Sequence, residues 1–218
     1  VSVVSSAVFI AAVWAGLVNT PGWSRVQASF FDLSTATKAF PQVLMGLLLN
    51  LEVLVFASIG VLIFGLLLAL LRTLRNPVYF PLRVFARAYV DFFRGLPLII
   101  VLYLVGFGIP GLRLPGVGRI PTELLGTVAL VLTYSAYVAE VFRAGIEAIH
   151  PSQRLAARSL GLTYAQSLRL VILPQAVRRV APPLMNDFVS LQKDVGLISI
   201  LGAVDAVRAA QIEVSQAA

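Results

Sequence analysis

Residues 43–71 read VLMGLLLNLEVLVFASIGVLIFGLLLALL, with Glu52 as the only charged position. A helix needs about 20 apolar residues to cross the ~30 Å hydrocarbon core of a bilayer, and this stretch exceeds that. A surface helix of a soluble domain would carry a polar stripe at helical spacing. None is present, so the stretch is read as a membrane span.

The rest of the chain agrees. It is 59% hydrophobic and 12% charged, where ordinary soluble domains carry about 25% charged residues. Further spans are expected at 3–18, 89–111, 121–142 and 180–204, so the chain reads as all-α, a polytopic helical membrane protein. Residues 1–42 form an extra N-terminal span and an external segment, and 43–218 form the core. There is no cysteine and the only histidine is His150, which excludes thiolate chemistry and leaves no metal-ligand set. The net charge of +7 is not taken as nucleic-acid binding, because in a membrane chain the placement of basic residues carries the information.

That placement orients the bundle. Arg72, Arg75, Arg83, Arg87 and Arg94 occupy one loop region, and Arg143, Arg154, Arg158, Arg169, Arg178 and Arg179 another. The alternating loops hold only Arg25, Lys38, Arg113 and Arg119. The two basic regions are therefore expected on the cytoplasmic side.

The second basic region contains a helical hairpin. Pro151 suits a first helical position, Gly161 the left-handed residue past a helix end, and Thr163–Gln166 a capping box. The spacing predicts a helix over 152–160, a turn at Gly161 and a second helix over 164–173 that ends at Pro174. A two-turn helix is marginal alone in water. It either rests on the lipid surface or docks on a soluble partner.

The segment AEVFRAGIEAIHPSQRLAARSLGLTYAQSLRLVILPQA, 139–176, resembles the cytoplasmic EAA loop of ABC importer permeases. FFRGLPLI at 92–99 and NDFVSLQKDVGLISI at 186–200 are similar to motifs of the polar-amino-acid branch. The resemblance covers about 40–204. It implies a permease-type bundle with a coupling helix, in a bacterial cell membrane. Arg154, Leu155, Ala156, Ala157, Arg158, Ser159, Leu160 and Gly161 would then face a separate ATP-binding subunit. Leu155 departs from the family's usual glutamate, and Leu96 from its usual threonine.

The resemblance also implies partners: an ATP-binding subunit dimer that holds ATP and Mg, a second permease chain, a solute-binding protein outside, lipid, and an amino acid as cargo. Such permeases usually have one more hydrophobic helix after the region matching 195–204, so the core is expected to lack its last helix. No cofactor is expected in this chain itself, and no enzymatic chemistry. Lys38 and Lys193, its two lysines, do not follow a glycine, as a phosphate-binding P-loop lysine must.

Ionisable groups within spans are costly and mark function by default. Glu52 is read either as meeting a substrate ammonium or as hydrogen-bonded to a neighbouring helix. Asn186, Asp187, Ser190, Gln192, Lys193 and Asp194 make the fifth span too polar for lipid and are read as lining the path, with Lys193 and Asp194 as an alternative structural pair. Glu140 is expected to pair with Arg143, and Asp91 with Arg94. Pro97 is expected to kink its helix. A stand-alone ion-coupled carrier or channel is the alternative, but it gives the hairpin no role.

Overall fold

The computed structural model describes residues 2–74, 76–113, 115 and 120–217, with Ser29, Arg154, Tyr164 and Ala217 described in backbone only. Arg75 lies outside the described residues, as does Arg119 with most of the 114–119 loop.

The described residues form helices joined by turns, with no strand among them. Helix α1 spans Ser2–Val18, α2 Trp23–Phe30 and α3 Leu33–Thr73. Asp32 caps α3 by accepting the Ser34 N–H at 2.9 Å. The 43–71 span is thus the inner part of a longer helix, because Pro41 does not interrupt it. At ~1.5 Å per residue α3 is roughly 60 Å long, about twice a hydrocarbon core.

A 3-10 turn, Pro77–Tyr79, leads to α4, Phe80–Gly95. α5 follows at Leu98–Tyr103 and runs through a π turn, Leu104–Gly108, into α6, Ile109–Gly111. The expected single span over 89–111 is instead two pieces, bent by 107°. Pro97 and the extended backbone of Leu96 and Pro97 separate them. Proline disfavours helical backbone at the residue before it, so the expected kink is a full break.

α7, Thr122–Glu147, is the central helix. Leu125, Ala129, Leu130, Ala136 and Ala139 are all buried along it. Its close partner is α3, where small residues set the spacing. A Cβ on Gly65 would stand 2.8 Å from Val138 Cγ1, so a larger residue there would push the two helices apart.

After α7 come α8, Pro151–Ser159, and α9, Tyr164–Ser167. A π turn over Leu168–Ile172 joins α9 to α10, Leu173–Asp194. The expected stop at Pro174 does not occur. Both π turns lie just before a proline, Pro110 in one case and Pro174 in the other. A wider turn moves the carbonyl that a proline ring would strike in a regular helix, so the chain continues.

The expected fifth span is also composite. α10 gives way to a 3-10 segment, Val195–Leu201, then to a left-handed turn at Gly202 and α11, Ala206–Ala217. α11 lies against α3, where Gly46 leaves room for the backbone of Asp205 and Ala206: a Cβ there would be 2.5 Å from the Ala206 nitrogen. Among the described residues two helices are long and apolar enough to cross a membrane, or four if each bent pair counts as one span, and α1 is a shorter apolar helix.

Candidate functional site

The hairpin is built by local chemistry at every corner. His150 Nδ1 accepts the Ser152 N–H at 3.2 Å and caps α8. At the other end Gly161 has φ of +78°. Its N–H donates to Arg158 O at 2.9 Å, and the Leu162 N–H donates to Ala157 O at 3.1 Å, the two bonds of a Schellman closure. The capping box forms as expected, with Thr163 N–H donating to Gln166 Oε1 at 2.9 Å and Gln166 N–H to Thr163 Oγ1 at 3.3 Å.

One face of α8 is turned to the protein. Ala157 is 3% exposed, and α8 packs against the 168–172 turn. Ile149, Ile172 and Ala176 form a small apolar cluster at the base of the hairpin. Gln175 Nε2 donates to Gln153 Oε1 at 3.3 Å. Away from the bundle, α8 exposes Leu155 and its C-cap residue Leu160, by 65% and 82%, along with Ala156, Arg158, Ser159 and Gly161. Seven of the eight expected docking positions are thus placed in side-chain detail: six lie on the outer surface and Ala157 supports it from beneath. Arg154 lies outside the described side chains.

The helix that carries the hairpin is bound to α3 by charge. Glu140 pairs with Arg143, as the sequence suggests, and also with Arg72 of α3 at 2.7 Å. Arg143 reaches on to Glu147. The cluster joins the last turn of α3 to the last two turns of α7.

A cleft of about 410 Å³ opens where α4 breaks from α5, between α7 and α10. Ser190, Lys193 and Asp194, which the sequence reading places on a path, line this cleft. Glu52 and Asn186 do not; both are exposed elsewhere on their helices. Lys193 and Asp194 are not in ion-pair contact among the described residues. Asp194 Oδ2 instead accepts the Tyr134 hydroxyl at 2.6 Å. The expected Asp91–Arg94 pair is absent among the described residues as well, because Arg94 lies over the Tyr137 ring, 5.8 Å from its centroid.

Thr133, Tyr134 and Tyr137 line the cleft too, beside Asp187; the sequence reading names Asp187 within the polar fifth span and misses the other three. A signal existed: TYSAY at 133–137 places hydroxyls in the middle of an apolar span. Thr133 Oγ1 and Asp187 Oδ2 are shielded from solvent and have no hydrogen-bond partner among the described residues. Such groups cost free energy unless a ligand or water satisfies them. One ammonium and two carboxylates around a narrow cleft can hold both ends of a zwitterion.

Residues 61–217 match the family model described as binding-protein-dependent transport system inner membrane component. The probable glutamine ABC transporter permease protein GlnM of Bacillus subtilis is 39% identical over 153 residues, covering 69% of this chain and 67% of that protein. The glutamate/aspartate import permease protein GltK of Escherichia coli is 34% identical over 184 residues, covering 83% and 81%. The arginine transport system permease protein ArtQ of Bacillus subtilis is 35% identical, covering 82% and 79%. Among solved structures, the crystal structure of an amino acid ABC transporter with histidines superposes with a TM-score of 0.74 at 35% identity, covering 84% of this chain and 83% of that one.

Proposed function

We propose a mechanism from the premise that this chain belongs to the binding-protein-dependent transport system inner membrane components, as a permease subunit of an amino-acid ABC transporter. The subunit provides the path of an ATP-driven importer and is moved by a separate ATP-binding subunit seated on α8. The observation that carries this reading is the apolar crest of the hairpin. Leu155 projects from α8 and Leu160 from its C-cap, on a helix capped at both ends. Exposed leucines on a rigid short helix suit a groove on a soluble partner.

ATP and Mg are held by that partner. When nucleotide binding draws two such partners together, α8 moves and takes α7 with it, and the Glu140 cluster takes α3. The cleft beside Asp194 then changes its access from one side of the membrane to the other. A second permease chain, identical or similar, completes the path, and an external solute-binding protein delivers the amino acid. Lys193 receives the substrate carboxylate, while Asp194 and Asp187 receive its ammonium.

Uptake into vesicles tests the reading. Dependence on ATP and on a binding protein is the expected result. Dependence on a proton gradient alone, without nucleotide, would establish the stand-alone carrier instead.

A further inference from the structure

Helix α4 carries three stripes where a simple amphipathic helix carries two. Ala86 and Val90, with the half-buried Tyr89 and Phe93, pack on Leu68, Ala136 and Ala139. Val84, Phe85, Ala88 and Phe92 form a second stripe and are all exposed or partly so, Phe85 by 61% and Phe92 by 59%. Arg83, Arg87, Asp91 and Arg94 form the third. At about 100° per residue these stripes lie roughly a third of a turn apart. The first is satisfied by the bundle, and the second needs an apolar cover right beside a cationic edge.

The setting of the helix points to the cover. α4 turns through 107° from the α5–α6 pair and packs on both α3 and α7. It crosses α7 at Ala136 and Ala139. Counting about 20 residues from Thr122 puts the inner hydrocarbon boundary near Val141, within a turn or so of that crossing. Arginines of the third stripe differ in their freedom. Arg83 donates to Leu74 O at 2.9 Å and lies over the Phe80 ring, and Arg94 lies over Tyr137. Arg87 is exposed and takes part in no ion pair among the described residues.

We infer that α4 is an interfacial helix that binds anionic phospholipid of the inner leaflet. Val84, Phe85 and Phe92 lie on acyl chains, and Arg87 holds the headgroup phosphate. This takes from the proposed function only the cytoplasmic placement of the basic regions. Because the chain has no cysteine, Leu160→Cys supplies a single label that checks this placement separately.

Native mass spectrometry of the purified chain, with whatever subunits co-purify, measures the lipids retained from a mixture of phosphatidylglycerol and phosphatidylcholine. The wild type should retain phosphatidylglycerol preferentially. Arg87→Gln should lower that preference about fivefold, Arg87→Lys should keep it, and Arg25→Gln on α2 should leave it unchanged. Equal retention of the two lipids by the wild type, or no change in Arg87→Gln, overturns the inference. So does a cross-link from Phe85→Cys to a soluble subunit or a second copy, since another protein would then cover the stripe. If Leu160→Cys is labelled from the cytoplasmic side and the lipid preference is still absent, the α4 inference fails and the importer reading stands.

Discussion

Glu140 is the residue whose removal should cost the bundle most for the least change in shape. It lies between two guanidiniums: Arg72, whose side chain is 11% exposed, and Arg143. Glu140→Gln keeps the volume and removes the charge. Arg72 is left facing protein with Nε already lacking a partner. Breaking one side of a fully buried pair costs about 3–5 kcal/mol. Partial access of water reduces this, so about 2 kcal/mol is expected here. Glu147 offers an internal comparison. It pairs with the same Arg143 but is 58% exposed, so Glu147→Gln should cost under about 0.5 kcal/mol. Unfolding in mixed micelles, titrated with SDS and followed by helical circular dichroism, measures both. Equal midpoints for the two variants would refute the claim that this cluster ties α3 to α7.

Three other outcomes are expected. Gly145→Val would drive a side chain into Val180, separating α7 from α10. The protein should then be recovered from membranes at several-fold lower yield, as measured by fluorescence-detected size exclusion. Tyr134→Phe keeps the ring and loses the hydrogen bond to Asp194. Loss of one bond to a charged acceptor costs about 1.5–3 kcal/mol of stability, so the unfolding midpoint should fall and, with Asp194 no longer held in place, substrate half-saturation in uptake should rise several-fold. Gly161→Val forces a β-branched residue to φ of +78°, at about 1–2 kcal/mol. Amide exchange over 151–167 should rise in that variant while α7 stays protected.

The parts of this protein that the sequence made readable are those whose causes are local. Gly161, Thr163 and Gln166 act within four residues of themselves, so hairpin caps can be read from spacing. Glu140–Arg143 is one helical turn and was equally accessible, but Arg72 is a neighbour only through the fold. Pro174 and Pro97 look alike on the page and behave differently. A π turn carries the first through its helix, whereas at Pro97 the chain breaks and bends by 107°. Nothing within a few residues distinguishes the two cases. Lys193 and Asp194 stand out in the sequence because they are charged. Tyr134 and Thr133 do not, because a span that is apolar on average hides its hydroxyls. Glu52 stands out for the same reason as Lys193, yet it is exposed away from the cleft. Depth within a span does not say which way a side chain looks.

The central claim is that work done elsewhere enters through α8. Leu160→Cys, the single cysteine in an otherwise cysteine-free chain, allows a direct measurement by short-span cross-linking in intact membranes. The account predicts a product joining this position to a soluble nucleotide-binding subunit, with a yield that changes when ATP is added. Labelling of the same position by an impermeant reagent from outside the cell, with no such product, would contradict it.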